Sequence, residues 1–182
     1  SLSMLKARQE VYLSNMTWKL FDIRAGLRNE VINVRNLKSS QIIGDYNRDL
    51  LSNDFISAFL EGRADTFDDG CCPKRGLTAG ASYSWVFGGF PNKFNNFHMV
   101  QADAKVVLPA GEVFAFIPSF NVRFLLGEDI PVPYFNAMGG SLPGRYVDQQ
   151  IPFLGITNLF AMKNILTVFR TDFRFRLAKN HY

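Results

Sequence analysis

Apolar and polar positions alternate along most of this chain. From Ile165 to Leu177 (ILTVFRTDFRFRL) the odd positions are Ile165, Thr167, Phe169, Thr171, Phe173, Phe175 and Leu177, while the even positions end in Arg170, Asp172, Arg174 and Arg176. Successive strand side chains point to opposite faces, so this reads as a long strand with one apolar face and one face that becomes charged. The same period recurs upstream. Between Trp18 and Val34, Phe21, Ile23, Ala25, Leu27 and Val31 oppose Asp22, Arg24, Arg28 and Glu30. Between Asp54 and Phe67, Ile56, Ala58, Leu60 and Ala64 oppose Ser57, Glu61, Arg63 and Asp65. From Leu77 to Phe87, Leu77, Ala79, Ala81, Tyr83 and Trp85 oppose Thr78, Gly80, Ser82 and Ser84. From His98 to Leu108, Val100, Ala102, Ala104 and Val106 oppose Gln101, Asp103 and Lys105. From Phe114 to Leu126, Phe116, Phe120, Val122 and Phe124 oppose Ser119, Asn121 and Arg123.

Those segments predict six strands, and residues 1–15 are ambiguous. KARQEVYL suits a helical turn or a strand entering the sheet, with a seventh strand near Glu10 to Met16. Between the strands lie a polar loop from Asn36 to Asn53, the turn DDGCCPKRG, the connection GGFPNKFNN and the tight turn PAGE. The stretch from Gly127 to about Asn164 is rich in Pro and Gly and reads as one long irregular loop, a length that is usually functional.

A soluble β-sandwich also alternates apolar and polar faces. Three features favour a membrane barrel instead. The strands run to about 11–15 residues, against a globular mode of about 5–6. Phe, Tyr and Trp gather near strand ends, where interfacial girdles belong. The polar faces carry both signs of charge, which suits a wet lumen. The fold class expected is therefore all-β: a partial antiparallel transmembrane β-barrel of about six or seven strands, with residues 1–182 forming part of one barrel domain that carries the long 127–164 loop. Asp22, Arg24, Arg28, Glu61, Arg63, Asp103, Lys105, Arg123, Arg170, Asp172, Arg174 and Arg176 are expected to line that lumen.

Composition narrows the function. The chain is 47% hydrophobic and 20% charged, a balance that fits an ordered fold. No segment approaches the roughly 18–20 consecutive apolar residues of a membrane-spanning helix. The net charge of +4 comes without a basic run, so nucleic acid is not an expected partner. No signal peptide is visible at the N-terminus, so the chain reads as a mature product or a fragment of one.

Catalytic patterns are missing. Gly139-Gly140-Ser141-Leu142-Pro143 has proline where a nucleophile elbow needs its last glycine. His98 falls on the apolar phase near a strand end, which suits a girdle, and His181 lies two residues from the end. Cys71 and Cys72 are adjacent and read as turn residues, because neighbouring cysteines pair only with strain. Asp65, Asp68 and Asp69 read as caps of a solvated turn. No metal, cofactor or catalytic residue is assigned.

The long loop is more specific. Its IPVPYFNAMGGSLPGRYVDQQIPFLGI (Ile130–Ile156), with FIPSFNVRFLLGEDIP before it and VFRTDFRFRL after it, closely resembles the C-terminal region of Bacteroidetes patatin-like phospholipases. In those proteins a lipase domain precedes a barrel of the bacterial surface antigen family, a superfamily that includes outer-membrane assembly and two-partner secretion barrels. The resemblance runs from RAGLR at Arg24–Arg28 to KNHY at Lys179–Tyr182. It implies a loop that folds into the lumen and an Arg-Gly-aromatic motif whose arginine pins loop to wall. Gly144, Arg145 and Tyr146 match that motif with glycine and arginine exchanged. Asp148, Asp172 and Asp103 are the candidate partners for Arg145, whose five donors need acceptors in a lumen.

The resemblance also implies the role. The chain would be a module of the bacterial outer membrane, in contact with its lipid, that anchors and helps export an upstream lipase domain of the same polypeptide. Two readings compete: an outer-membrane lipid hydrolase in its own right, and a passive pore or binding barrel. The first needs an activated nucleophile beside a base, and no such pair is evident in the sequence.

Overall fold

The computed structural model describes residues 2–15, 20–37, 53–90, 96–128, 130–139, 150–151, 153, 160–162 and 164–175. Seven long strands form one antiparallel sheet in which spatial order follows chain order. They are β1 (Leu2–Asn15), β2 (Phe21–Leu37), β3 (Asn53–Asp65), β4 (Gly76–Phe90), β5 (Phe97–Ala110), β6 (Phe114–Leu126) and β10 (Ile165–Phe175). The shortest has 11 residues and the longest 17, enough for the roughly 9–11 residues that cross a bilayer core. Each consecutive pair is hydrogen-bonded side by side, as in an up-and-down meander.

The alternation read from the sequence is the alternation of the two faces. Leu27, Leu60, Trp85, Phe120, Phe169 and Phe173 are exposed on one face. Ser57, Phe59, Ser84, Arg123 and Val168 are buried on the other. Of the segment 1–15, ambiguous in sequence, Leu2–Asn15 is settled as strand β1. It pairs with β2 over its whole length, setting Arg8 against Glu30 and Glu10 against Arg28.

The loop from 127 to 164 is not structureless. It contains a 3-10 turn at Val132–Tyr134 and three short strands, β7 (Asn136–Met138), β8 (Gln150–Ile151) and β9 (Phe160–Met162). β7 is central, parallel to β8 and antiparallel to β9. The chain leaves β6 through Gly127 at φ +149°, a conformation open to glycine, and a Cβ there would lie 2.7 Å from that of Phe97. That close approach lets the loop turn back over the polar face.

Where the loop arrives, the inner face turns apolar. Ile32, Phe55, Val86, Phe97 and Leu125 form a buried cluster with Ile130, Tyr134 and Phe135 of the loop. The Tyr134 ring stands edge-on to Phe55 and to Phe97, each at 5.0 Å between centroids, the favoured arrangement of aromatic pairs.

Candidate functional site

The candidate site is the polar inner face with the loop laid across it. Strand register places its residues in rows. One row runs Ser14, Arg24, Glu61, Ser82, Gln101, Arg123 and Leu166. The next runs Asp22, Arg63, Gly80, Asp103, Asn121 and Val168. The following row brings Lys105, Ser119 and Arg170 together.

On β1 to β3 the charges are interlocked. Arg28 donates from Nε to Glu10 (2.7 Å) and from Nη2 to Glu61 (2.8 Å), and its guanidinium lies 4.5 Å from the Phe59 ring centroid. Arg24 reaches Glu61 and Asp22, both at 3.4 Å. Below Arg28, Gly26 sits between Tyr12 and Phe59 in the ladder, and the two rings approach to 6.5 Å across it. A Cβ on Gly26 would run into the Val11 carbonyl oxygen and lie 2.7 Å from Tyr12 Cα, so the β1–β2 contact requires glycine there.

Glu30 ties wall to loop. It is buried, and accepts from Arg8 Nε (2.8 Å), lies 3.1 Å from Lys6 Nζ, and accepts from the Tyr134 hydroxyl at 2.7 Å. Tyr134 belongs to the loop after β6, whereas Glu30 lies on β2, so this bond spans the inner face. Burial and the Glu30 carboxylate together push the Tyr134 phenol well above the ordinary tyrosine range, which keeps it a donor.

On β3 to β10 the inner face is open. A cavity of about 350 Å³ is bounded by Arg63, Asp103, Lys105, Arg123 and Arg170 on the wall and by Gln150 and Ile151 of β8. Arg170 is bonded to Asp172 at 2.8 Å. Arg174 reaches the other end of the sheet and donates to the Pro73 carbonyl (2.7 Å) in the turn between β3 and β4.

Eleven of the residues expected on the polar face thus share one face of one sheet. Arg176 lies outside the described residues, as do Gly144, Arg145, Tyr146 and Asp148. The described link from loop to wall is Tyr134 to Glu30, a pair that sequence reasoning missed along with Lys6, Arg8 and Glu10. Glu30 was visible as a polar-phase residue. Its role is set by Tyr134, 104 positions away, for which no spacing rule exists.

The remaining candidates fall elsewhere. His98 is on the outer face, where Nδ1 meets the Tyr83 hydroxyl at 2.8 Å and the ring stacks near Trp85. His181 lies outside the described residues. Asp65, Asp68 and Asp69 accept backbone N–H groups within the 66–75 turn, which also holds Cys71 and Cys72 as free thiols. No group of three metal-ligating side chains occurs among the described residues.

Comparison with known proteins agrees with this geometry. Residues 1–182, the whole chain, match the family model described as the OMP85 superfamily. No curated protein matches the chain.

Proposed function

The chain belongs to the OMP85 superfamily, and on that premise we propose that it is membrane-embedded barrel wall, with an inner loop, that anchors and helps export an attached patatin-type lipase domain. Proteins of this superfamily are outer-membrane β-barrels. The observation that carries the membrane reading is the division of the sheet into an apolar outer face and a charged inner face crossed by the loop. Water has no access to the hydrocarbon core, so charge there belongs on the side away from lipid.

Orientation follows from loop length. The connections 38–52, 91–96 and 127–164 join one end of the antiparallel strands and together are far longer than 16–20, 66–75 and 111–113 at the other, although 66–75 by itself exceeds 91–96. In outer-membrane barrels the short turns face the periplasm and the long loops face out. The lipase part of the reading rests on the resemblance carried by GGSLPGRYVDQQIPF, residues 139–153. Its catalytic groups would be supplied by that domain.

The test uses the full gene product in a bacterial host. Urea-washed outer membranes are expected to hold both this segment and lipase activity. Deleting residues 1–182 should release the activity from that fraction. Activity that stays in the outer membrane after the deletion overturns the anchoring role, and a gene product lacking any lipase motif overturns the lipase partner.

A further inference from the structure

We propose that the cavity between β8 and the inner wall of β3 to β10 is a binding site for a phosphate group. The argument begins with how charge is divided over one face. On the β1–β3 side, Lys6, Arg8, Arg24 and Arg28 meet Glu10, Asp22, Glu30 and Glu61, and every one of the eight is in an ion pair. Around the cavity the balance fails. Among the described residues, Arg63, Lys105, Arg123 and Arg170 line it with one carboxylate, Asp103. Arg170 is held by Asp172, while Arg63, Lys105 and Arg123 have no carboxylate partner among the described residues.

Arg123 brings a buried charge to the edge of this cavity. It is 6% exposed; its Nη1 is sealed without a partner, and its Nη2 reaches the weak acceptor Met99 Sδ at 3.3 Å. Its guanidinium therefore contributes positive field at the cavity wall rather than a free donor inside it. The described loop residues that bound the cavity, Gln150 and Ile151, bring no charge to it.

Size and charge select the ligand class. About 350 Å³ lies at the small end of the roughly 300–1,000 Å³ range of ligand pockets, which suits a compact anion over a length of chain. One carboxylate cannot balance three cations. A phosphate group carries more charge on oxygens that match guanidinium forks and the Lys105 ammonium. The same chemistry occurs in free phosphate and in a phospholipid head group.

The test is calorimetric titration of the full gene product, folded in maltoside detergent, with inorganic phosphate, with dihexanoyl phosphatidic acid and with hexaglutamate. Saturable 1:1 binding of either phosphate compound is expected. Tighter binding of free phosphate identifies a solute as the source, and tighter binding of phosphatidic acid identifies a head group. Arg63→Gln and Lys105→Gln, at less buried positions than Arg123, should each weaken binding at least tenfold. Lys74→Gln, an equal loss of charge on the exposed turn, should change it less than twofold. Absence of saturation, equal affinities in all variants, or tighter binding of hexaglutamate overturns the proposal.

Discussion

Tyr134 ties the loop to the wall through one phenolic proton. The hydrogen bond to ionised Glu30 is of the charged kind, worth about 1.5–3 kcal/mol. Tyr134→Phe keeps the edge-on contacts with Phe55 and Phe97 and loses only that bond. Its unfolding free energy in lipid vesicles should fall by about that amount, and backbone exchange at 130–139 should quicken. Glu30→Gln removes the carboxylate shared by Lys6 and Arg8, so a larger loss of about 3–5 kcal/mol is expected. Equal losses would show that Glu30 serves Tyr134 alone. The phenol titration gives an independent reading. Its folded pKa lies above the unfolded value of about 10, so the associated stabilisation is full below that pH and fades as pH rises through the folded value. Absorbance at 295 nm should show one tyrosine silent until unfolding, and Tyr134→Phe should remove that silent group. Sequence supplied the phase of Glu30 but not this partner, because no local pattern links β2 to a loop so distant in sequence.

At the scale of elements, the period-2 pattern was enough for six strands because lipid-side and wet-side positions differ in kind. Leu60 faces outward, half exposed, while its register neighbour on the inner side, Glu61, meets Ser82 across the ladder. Leu60→Arg should therefore cost about 2–4 kcal/mol near the bilayer midplane. Ser82→Arg, on the wet face, should cost much less. Refolding in vesicles across a urea series compares the two directly, and equal costs would put the membrane on the wrong face. The sequence leaves β1 open between a helical turn and a strand for a physical reason. Its outer positions include Ala7 and Gln9, so the apolar half of the signal fades, and Lys6, Arg8 and Glu10 are good helix formers. Only pairing with Glu30 and Arg28 fixes it as strand. The buried apolar cluster under the 127–164 loop did leave a trace. In WVF at 85–87 and FLL at 124–126 both phases are apolar, as expected where both faces of a strand are covered. Gly26 marks the other constraint on β1. Gly26→Ala drives a methyl into the backbone of Val11 and Tyr12, and should destabilise by about 1–3 kcal/mol, the cost typical of overpacking.

Over the whole molecule, the described sheet is open. β1 pairs only with β2, and β10 pairs within this sheet only with β6. Seven strands is an odd number, whereas bacterial single-chain barrels have an even number of at least about 8. Each edge presents a row of N–H and C=O groups that hydrocarbon cannot satisfy. Those edges must meet further strands, from the same polypeptide or from other chains, before the wall is stable in a bilayer. The chain by itself is therefore expected to associate in detergent or to need detergent to stay in solution. Light scattering behind size-exclusion chromatography reads its mass. Cysteines placed at the exposed edge of β1 and at that of β10 should cross-link between chains in the assembled form. A monodisperse monomer whose β1 and β10 cross-link to each other would mean that seven strands close on themselves, and the requirement for additional strands would fall. Esterase turnover is a separate matter at this scale. The described inner face offers ion pairs, an anchored loop and a cationic cavity, with His98 on the opposite side. Purified chain should not hydrolyse a short-chain ester, and turnover abolished by a single Ser→Ala substitution would reveal a nucleophile that neither the pattern nor the described geometry places beside a base.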